Sequence, residues 1–199
     1  MIVHRHQRPV IIFDWDDTLL ASTDLSCYGY GIEGGHQFTP IIQHELKALE
    51  SSVFELLSLA VASGTVFIVT NSESGWVQMS AQRFLPGVIP LLAKITVISA
   101  RSAFERHFPN SPADWKVQAF RALNDTFIGR TVLSFGDSYV DRDALFAATS
   151  MLRKVSVKFL ERPSLSQLCC QIDLVRQAKT WSYLCQPDSD LDLVLILTQ

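Results

Sequence analysis

Five short apolar runs, rich in β-branched residues and bounded by turn residues, recur along the sequence. Such runs are typical of strands that are buried on both faces of a parallel sheet. They predict strands at residues 10–13, 65–70, 95–98, 131–135 and 155–159. A further apolar stretch at 191–197 fits a sixth strand, a sheet edge or the stub of a longer protein.

Between these runs, apolar residues recur at the three- and four-residue spacing of a helix with one buried face. The clearest example is Ile42, Leu46, Leu49, Val53, Leu56 and Ala60, which predicts a helix over 41–62. Further helices are predicted at 75–84, 113–123, 139–150 and 164–184. This alternation favours an α/β fold in which right-handed crossover helices cover both faces of a parallel sheet.

Composition narrows the class of protein. The 199 residues suit one domain, and 48% hydrophobic with 19% charged residues is ordinary for a globular chain. The net charge is −3 and the Lys and Arg residues are scattered, which argues against nucleic-acid binding. The four cysteines lack the spacing of a zinc site, and no segment has the length of a membrane span or of a cleaved signal peptide. These features predict a cytoplasmic protein.

The first strand runs directly into Asp14 and Asp16. In an extended backbone, residues two apart point the same way, so both carboxylates are expected to address one reacting atom. Paired carboxylates repel each other unless a cation or a proton lies between them. The pair therefore predicts a bound metal or a carboxyl group with a raised pKa.

Polar groups also follow the second and fourth strands. Thr70 and Asn71 end the second strand, Asp137 follows the fourth, and Asp141 lies four residues further on. In parallel sheets ligands bind outside the carboxyl ends of the strands, so these groups are expected at one edge. Lys116, on the helix before the fourth strand, is expected to bring a cation toward the same place.

The four motifs, taken in order, resemble those of the haloacid dehalogenase superfamily. They are DxDxT at Asp14, the strand-terminal Thr70 and Asn71, Lys116, and GDxxxD beginning at Gly136. The resemblance implies a three-layer α/β/α Rossmann-like core with strand order 5-4-1-2-3. It also implies a bound Mg²⁺ ion and an aspartyl-enzyme intermediate.

The resemblance assigns a role to each of these residues. Asp14 is the nucleophile, and Mg²⁺ is held by Asp14, the backbone carbonyl of Asp16, and Asp137. Lys116, Thr70 and Asn71 hold the phosphoryl oxygens. Asp16 is the general acid and base, which indicates a phosphatase rather than a dehalogenase. Asp141 orients metal-bound water or pairs with Lys116.

Most members of this superfamily carry an inserted cap domain, but both intervals between the relevant motifs are short here. The chain is therefore expected to lack a large cap and to have only a loop or β-hairpin flap at about 19–40. An open site suits a phosphorylated protein or peptide as substrate. Tyr28, Tyr30 and Trp76 are predicted to flank it, and phosphotyrosine is the preferred group.

Two alternatives stay open: a phosphatase of sugar or nucleotide phosphates, and a phosphoprotein-binding module without turnover. The chain also resembles capless phosphatases among secreted bacterial effectors, which implies action in a host cytosol. Cys170 and Arg176 fit the C-x5-R spacing of cysteine-dependent phosphatases. They lie in a segment with helical periodicity and no glycine, so a phosphate-binding loop is not expected there.

Overall fold

Six parallel strands form one sheet in the computed structural model, which describes residues 8–33, 37–148 and 151–196. The strands are β1 (Val10–Phe13), β2 (Thr65–Thr70), β3 (Thr96–Ser99), β4 (Thr131–Gly136), β5 (Arg153–Lys158) and β6 (Leu191–Val194). Their order across the sheet is β3-β2-β1-β4-β5-β6. The stretch at 191–197 therefore supplies a sixth strand, which lies at an edge beside β5.

Helices connect the strands and cover both faces of the sheet. They are α1 (Ser22–Cys27), α2 (Pro40–Ser63), α3 (Trp76–Phe84), α4 (Ile89–Leu92), α5 (Ala100–Phe104), α6 (Pro112–Ala122), α7 (Asn124–Phe127), α8 (Tyr139–Ala147), α9 (Leu165–Val175) and α10 (Ala178–Cys185). A 3-10 turn at Pro86–Val88 precedes α4. The predicted α/β class with a parallel sheet is confirmed.

The central strand β1 shows why the fold has two hydrophobic cores. Ile11 and Phe13 pack on one face of the sheet with side chains of α2, α3, α9 and α10. Val10 and Ile12 pack on the other face with side chains of α6, α7 and α8. All four residues are at most 1% exposed, and burial of each such side chain contributes about 1.5–3 kcal/mol.

Local signals set the ends of α2 and the start of β2. Thr39 caps α2 by accepting a hydrogen bond from the backbone N–H of Ile42, and Pro40 occupies the first turn. Gly64 follows the helix, and a Cβ atom there would lie 2.3 Å from the carbonyl oxygen of Pro9. The absence of that atom lets the Thr65 N–H donate to Pro9 at 3.0 Å, which brings β2 alongside β1.

The predicted helix over 164–184 is wrong, because the structure contains two helices there. The chain leaves the helical conformation at Gln177, where ψ is 133°. No Pro or Gly marks this break in the sequence. The break allows Trp181 on α10 to stack on Phe135 of β4, with ring centroids 6.1 Å apart. Tertiary packing therefore overrides the local helical pattern.

The segment at about 19–40, predicted as a loop or β-hairpin flap, also contains a short helix. Its described part contains the helix α1 followed by a loop, and no β-hairpin. Tyr30 and Phe38 pack edge to face at 5.0 Å, and Phe38 contacts Phe84 of α3. Gly34 and Gly35 of the predicted flap, residues 149 and 150 of the predicted fourth helix, and residue 197 lie outside the described residues.

None of the helices in the described ranges combines the length and the apolarity that a membrane span requires.

Candidate active site

Three carboxylates meet at the carboxyl edge of the sheet. Asp14 follows β1, and its backbone N–H donates to the Phe135 carbonyl at 2.8 Å, which continues the pairing with β4. Asp137 follows β4, and Asp141 lies in the first turn of α8. One carboxylate oxygen from each of the three lies within 4.8 Å of the others. We call Asp14, Asp137 and Asp141 the carboxylate cluster.

Lys116 brings a positive charge into this cluster from α6. Its side chain is almost fully buried, and its Nζ lies 3.0 Å from Asp14 Oδ1. The same ammonium also donates to Asp141 Oδ1. Burial alone would lower the pKa of Lys116, but attraction to Asp14 and Asp141 outweighs burial and raises the pKa. Lys116 is therefore a buried cation that joins α6 to β1 and α8.

One ammonium does not neutralise three carboxylates. If the three carboxylates and Lys116 are all ionised, the carboxylate cluster and Lys116 together have a net charge of −2. Burial and repulsion among the carboxylates outweigh Lys116 and raise the pKa of Asp14 well above its usual range. Burial, followed by repulsion from Asp141, raises the pKa of Asp137 to about 7. The site is therefore short of positive charge.

The donor set fits a hard divalent cation. All three groups of the cluster offer carboxylate oxygen, which is the ligand type that Mg²⁺ prefers in proteins. Two positive charges would balance the excess, and the oxygens are close enough to one another to share an ion. Of the three residues predicted to hold Mg²⁺, Asp14 and Asp137 belong to this cluster, and Asp141 joins them. The third, Asp16, was expected to contribute its backbone carbonyl, which stays a prediction.

Gly136 makes the cluster possible because it leaves room for Asp141. A Cβ atom at Gly136 would lie 2.2 Å from Asp141 Cγ, far inside van der Waals contact. The Asp141 carboxylate occupies that space and also accepts a hydrogen bond from Ser138 Oγ at 3.0 Å. The glycine of the GDxxxD motif therefore has a steric function in this chain.

Asp16 is not one of the three carboxylates whose oxygens lie within 4.8 Å of one another. Strand β1 ends at Phe13, and the chain turns at Asp17, which has a φ of 55°. The Asp16 carboxylate instead accepts hydrogen bonds from Ser72 Oγ at 2.7 Å and Trp76 Nε1 at 2.9 Å. The expectation that Asp14 and Asp16 address one reacting atom stays a prediction.

Thr70 and Asn71 lie at the carboxyl edge of the sheet, and each forms a different hydrogen bond. Thr70 Oγ1 accepts from the Ser72 N–H at 3.0 Å, and the residue lines a cavity of about 200 Å³ together with Ser74 and Ser99. Asn71 Nδ2 donates to the Pro112 carbonyl at the start of α6. Asn71 Oδ1 is buried and has no hydrogen-bond partner among the described residues. Phosphate binding by either residue stays a prediction.

The aromatic residues predicted to flank the substrate lie in different settings. Tyr28 is 61% exposed at the end of α1. Tyr30 packs on Phe38 and accepts a hydrogen bond from the Thr39 N–H, so it has a structural role in the loop. Trp76 donates to Asp16, a contact that no spacing rule in the sequence indicates.

The C-x5-R pair does not form a phosphate-binding loop. Cys170 lies inside helix α9, where the backbone N–H groups are already used, and its side chain is exposed. Arg176 pairs with Asp173 and Glu55.

No protein-family model matches the chain, and no curated protein or solved structure matches it either.

We expect Gly136→Ala to destabilise the fold by about 1–3 kcal/mol, since the added methyl group must displace Asp141 from Lys116. Urea denaturation measures this change. Gly31→Ala is the matched control, because a Cβ at Gly31 meets no atom within 4 Å. Equal stability of the two variants would contradict the steric function of Gly136.

In EDTA, we expect the free energy of unfolding to fall as pH rises from about 4 to about 7. Folded Asp137 keeps a proton over this range that the unfolded chain releases, so raising the pH favours unfolding. The shift from 3.8 to about 7 corresponds to at most about 4 kcal/mol. Asp137→Asn should flatten this dependence, as measured by denaturation across the pH range. An unchanged slope in the variant would show that Asp137 does not carry the effect.

Proposed function

We propose that the protein is a Mg²⁺-dependent phosphomonoester hydrolase that works through an aspartyl-phosphate intermediate on Asp14. The single observation that carries the proposal is the buried group formed by the carboxylate cluster and Lys116 at the carboxyl edge of a parallel sheet. Such an edge is where α/β proteins bind ligands. Strongly perturbed carboxyl groups concentrated at one place are typical of catalytic sites.

The cation would be held by the carboxylates of Asp14 and Asp137 and by the backbone carbonyl of Asp16, with Asp141 beside them. When bound, it supplies the positive charge that allows an anionic carboxylate to approach an anionic phosphoryl group. The donor types and the charge excess of the cluster support this assignment.

In the first step, an oxygen of Asp14 attacks phosphorus and the bond from phosphorus to the leaving oxygen breaks. Lys116 lies against the attacking carboxylate, where its ammonium can stabilise charge on a phosphoryl oxygen. Thr70 and the backbone N–H of Asn71 are the proposed donors to the remaining phosphoryl oxygens. Asp16 gives its proton to the leaving oxygen, so the alcohol or phenol departs neutral.

In the second step, water attacks the phosphorus of the aspartyl phosphate. Asp16, ionised after the first step, accepts a proton from that water. The bond between phosphorus and Asp14 breaks, inorganic phosphate leaves, and Asp14 is restored as a carboxylate. Each step moves one proton through Asp16, so the cycle closes without any other acid or base.

The proposed substrate class is a phosphorylated protein or peptide, with phosphotyrosine preferred. The described part of the segment between β1 and α2 contributes one six-residue helix, α1. The described elements between β2 and α6 pack into the main fold, with Val77 and Leu92 in one core and Ala100 in the other. No second domain among the described residues covers the site. Tyr139, two residues after Asp137 in the chain, is 56% exposed, and Lys158 Nζ lies 5.0 Å from the centroid of its ring.

We expect the native protein to release phosphate from p-nitrophenyl phosphate with Mg²⁺ and not with EDTA. Asp14→Asn should lower kcat by about 1000-fold or more, because the amide is a poor nucleophile and a weak cation ligand. Asp143→Asn is the matched control, since Asp143 lies on α8 two residues from Asp141 but pairs with Arg142 at the surface. Its activity should stay within about threefold of native.

Peptides phosphorylated on tyrosine, serine or threonine, assayed beside sugar and nucleotide phosphates, rank the substrate classes. Turnover that survives EDTA or Asp14→Asn would contradict the aspartyl mechanism. Phosphopeptide binding without turnover would indicate a binding module instead.

A further inference from the structure

Both carboxylate oxygens of Asp16 are held by the segment that joins β2 to α3. Trp76 Nε1 donates to Oδ1 at 2.9 Å, and Ser72 Oγ donates to Oδ2 at 2.7 Å. These two residues lie 56 and 60 positions away from Asp16 in the chain. We call Ser72 and Trp76 the Asp16 clamp.

The two donors of the clamp are themselves fixed in place. The Ser72 N–H donates to Thr70 Oγ1, and its carbonyl accepts from Ser99 Oγ at 2.6 Å, so β2 and β3 both hold it. Trp76 is the first residue of α3, and its backbone N–H donates to the Glu73 carbonyl. Its ring packs against the core that contains Ile11 and Phe13. The clamp is therefore attached to the sheet and to a helix and does not depend on a free loop.

The clamp treats the two carboxylate oxygens differently. An indole N–H can only donate, so a proton on Oδ1 would face another hydrogen and is disfavoured. A serine hydroxyl can donate to Oδ2 or accept from a proton on it. The arrangement can therefore keep the same orientation of Asp16 whether or not Oδ2 carries a proton.

We propose that Ser72 and Trp76 are positioning residues that orient Asp16 for proton transfer through Oδ2. This inference rests on the proposed function, in which Asp16 protonates the leaving oxygen as its bond to phosphorus breaks and the bond from Asp14 forms. Correct orientation of a general acid matters most when the leaving group is a poor one, because a strongly basic oxygen departs only with a proton.

The test compares two leaving groups in Trp76→Phe, which keeps a flat aromatic ring and loses the N–H. We expect kcat/KM to fall about 10- to 100-fold for phenyl phosphate and by less than about threefold for p-nitrophenyl phosphate, whose leaving anion needs little protonation. The ratio kcat/KM reports the steps up to departure of the leaving group, so a slower hydrolysis of the aspartyl phosphate does not disturb the comparison.

Trp181→Phe is the matched control. It removes an indole N–H that donates to Ser63 at the end of α2, at the amino edge of the sheet. Its kcat/KM should keep the native ratio between the two substrates. Ser72→Ala should shift the ratio in the same direction as Trp76→Phe, and Ser72→Thr, which retains a hydroxyl, should restore it.

A second measurement examines the contact without relying on activity. In ¹⁵N-labelled protein, the indole resonance that is lost in Trp76→Phe should move in Asp16→Ala, while the resonance lost in Trp181→Phe should stay. The melting temperature of each variant shows that it is folded. If the chemical shift of the Trp76 indole N–H is the same in Asp16→Ala as in the native protein, Trp76 does not contact Asp16 and the inference is overturned.

The outcomes separate this inference from the proposed function. If the native protein hydrolyses both esters and Asp14→Asn does not, but Trp76→Phe lowers both kcat/KM values equally, the function stands and the positioning role is overturned. If the native protein hydrolyses neither ester, or if Asp14→Asn remains active, the proposed function fails and the positioning role fails with it.

Discussion

The buried ammonium of Lys116 is the contact on which the arrangement of the site depends. It joins the loop after β1 to helices α6 and α8 through Asp14 and Asp141. Breaking a buried pair of this kind leaves an uncompensated charge and typically costs about 3–5 kcal/mol. Lys116 therefore fixes where the carboxylates meet, although one positive charge leaves the carboxylate cluster short of neutrality. The fold thus holds together carboxylates whose excess negative charge is balanced either by protons or by a further cation.

The parallel sheet supplies the rest of the geometry. Because β1 and β4 are neighbours, Asp14 and Asp137 leave the sheet side by side, and α8 then turns Asp141 back over Gly136. Helix α6 packs on the same face and brings Lys116 in from the side. The other strand beside β1, β2, leads into the segment that holds Asp16. The two halves of the proposed chemistry, attack by Asp14 and proton transfer by Asp16, are therefore supported by different neighbours of one strand.

Much of this could be predicted from the sequence, and the exceptions have a common physical cause. Strands β1, β2 and β4 appear as largely apolar runs because both faces of the sheet are buried around them, and the positions of Asp14 and Asp137 follow from the ends of their strands. Lys116 was expected near them because its helix precedes the fourth strand. The hydrogen-bond partners of Asp16 could not be predicted, because Ser72 and Trp76 lie 56 and 60 residues away in the chain. The break between α9 and α10 was missed for a similar reason, since packing of Trp181 on Phe135 sets it and no local signal does. Local sequence patterns predicted most strands and helices, whereas contacts between residues distant in the chain set the partners of Asp16 and the break between α9 and α10.

Calorimetric titration of the metal-free protein with Mg²⁺ measures directly whether the carboxylate cluster binds a divalent cation. We expect one bound ion per native chain, affinity at least about tenfold weaker in Asp137→Asn, and native affinity in Asp143→Asn, whose carboxylate lies at the surface. Absence of binding to the native protein, or equal affinity of the native protein and Asp137→Asn, would contradict the proposal that the carboxylate cluster holds a divalent cation.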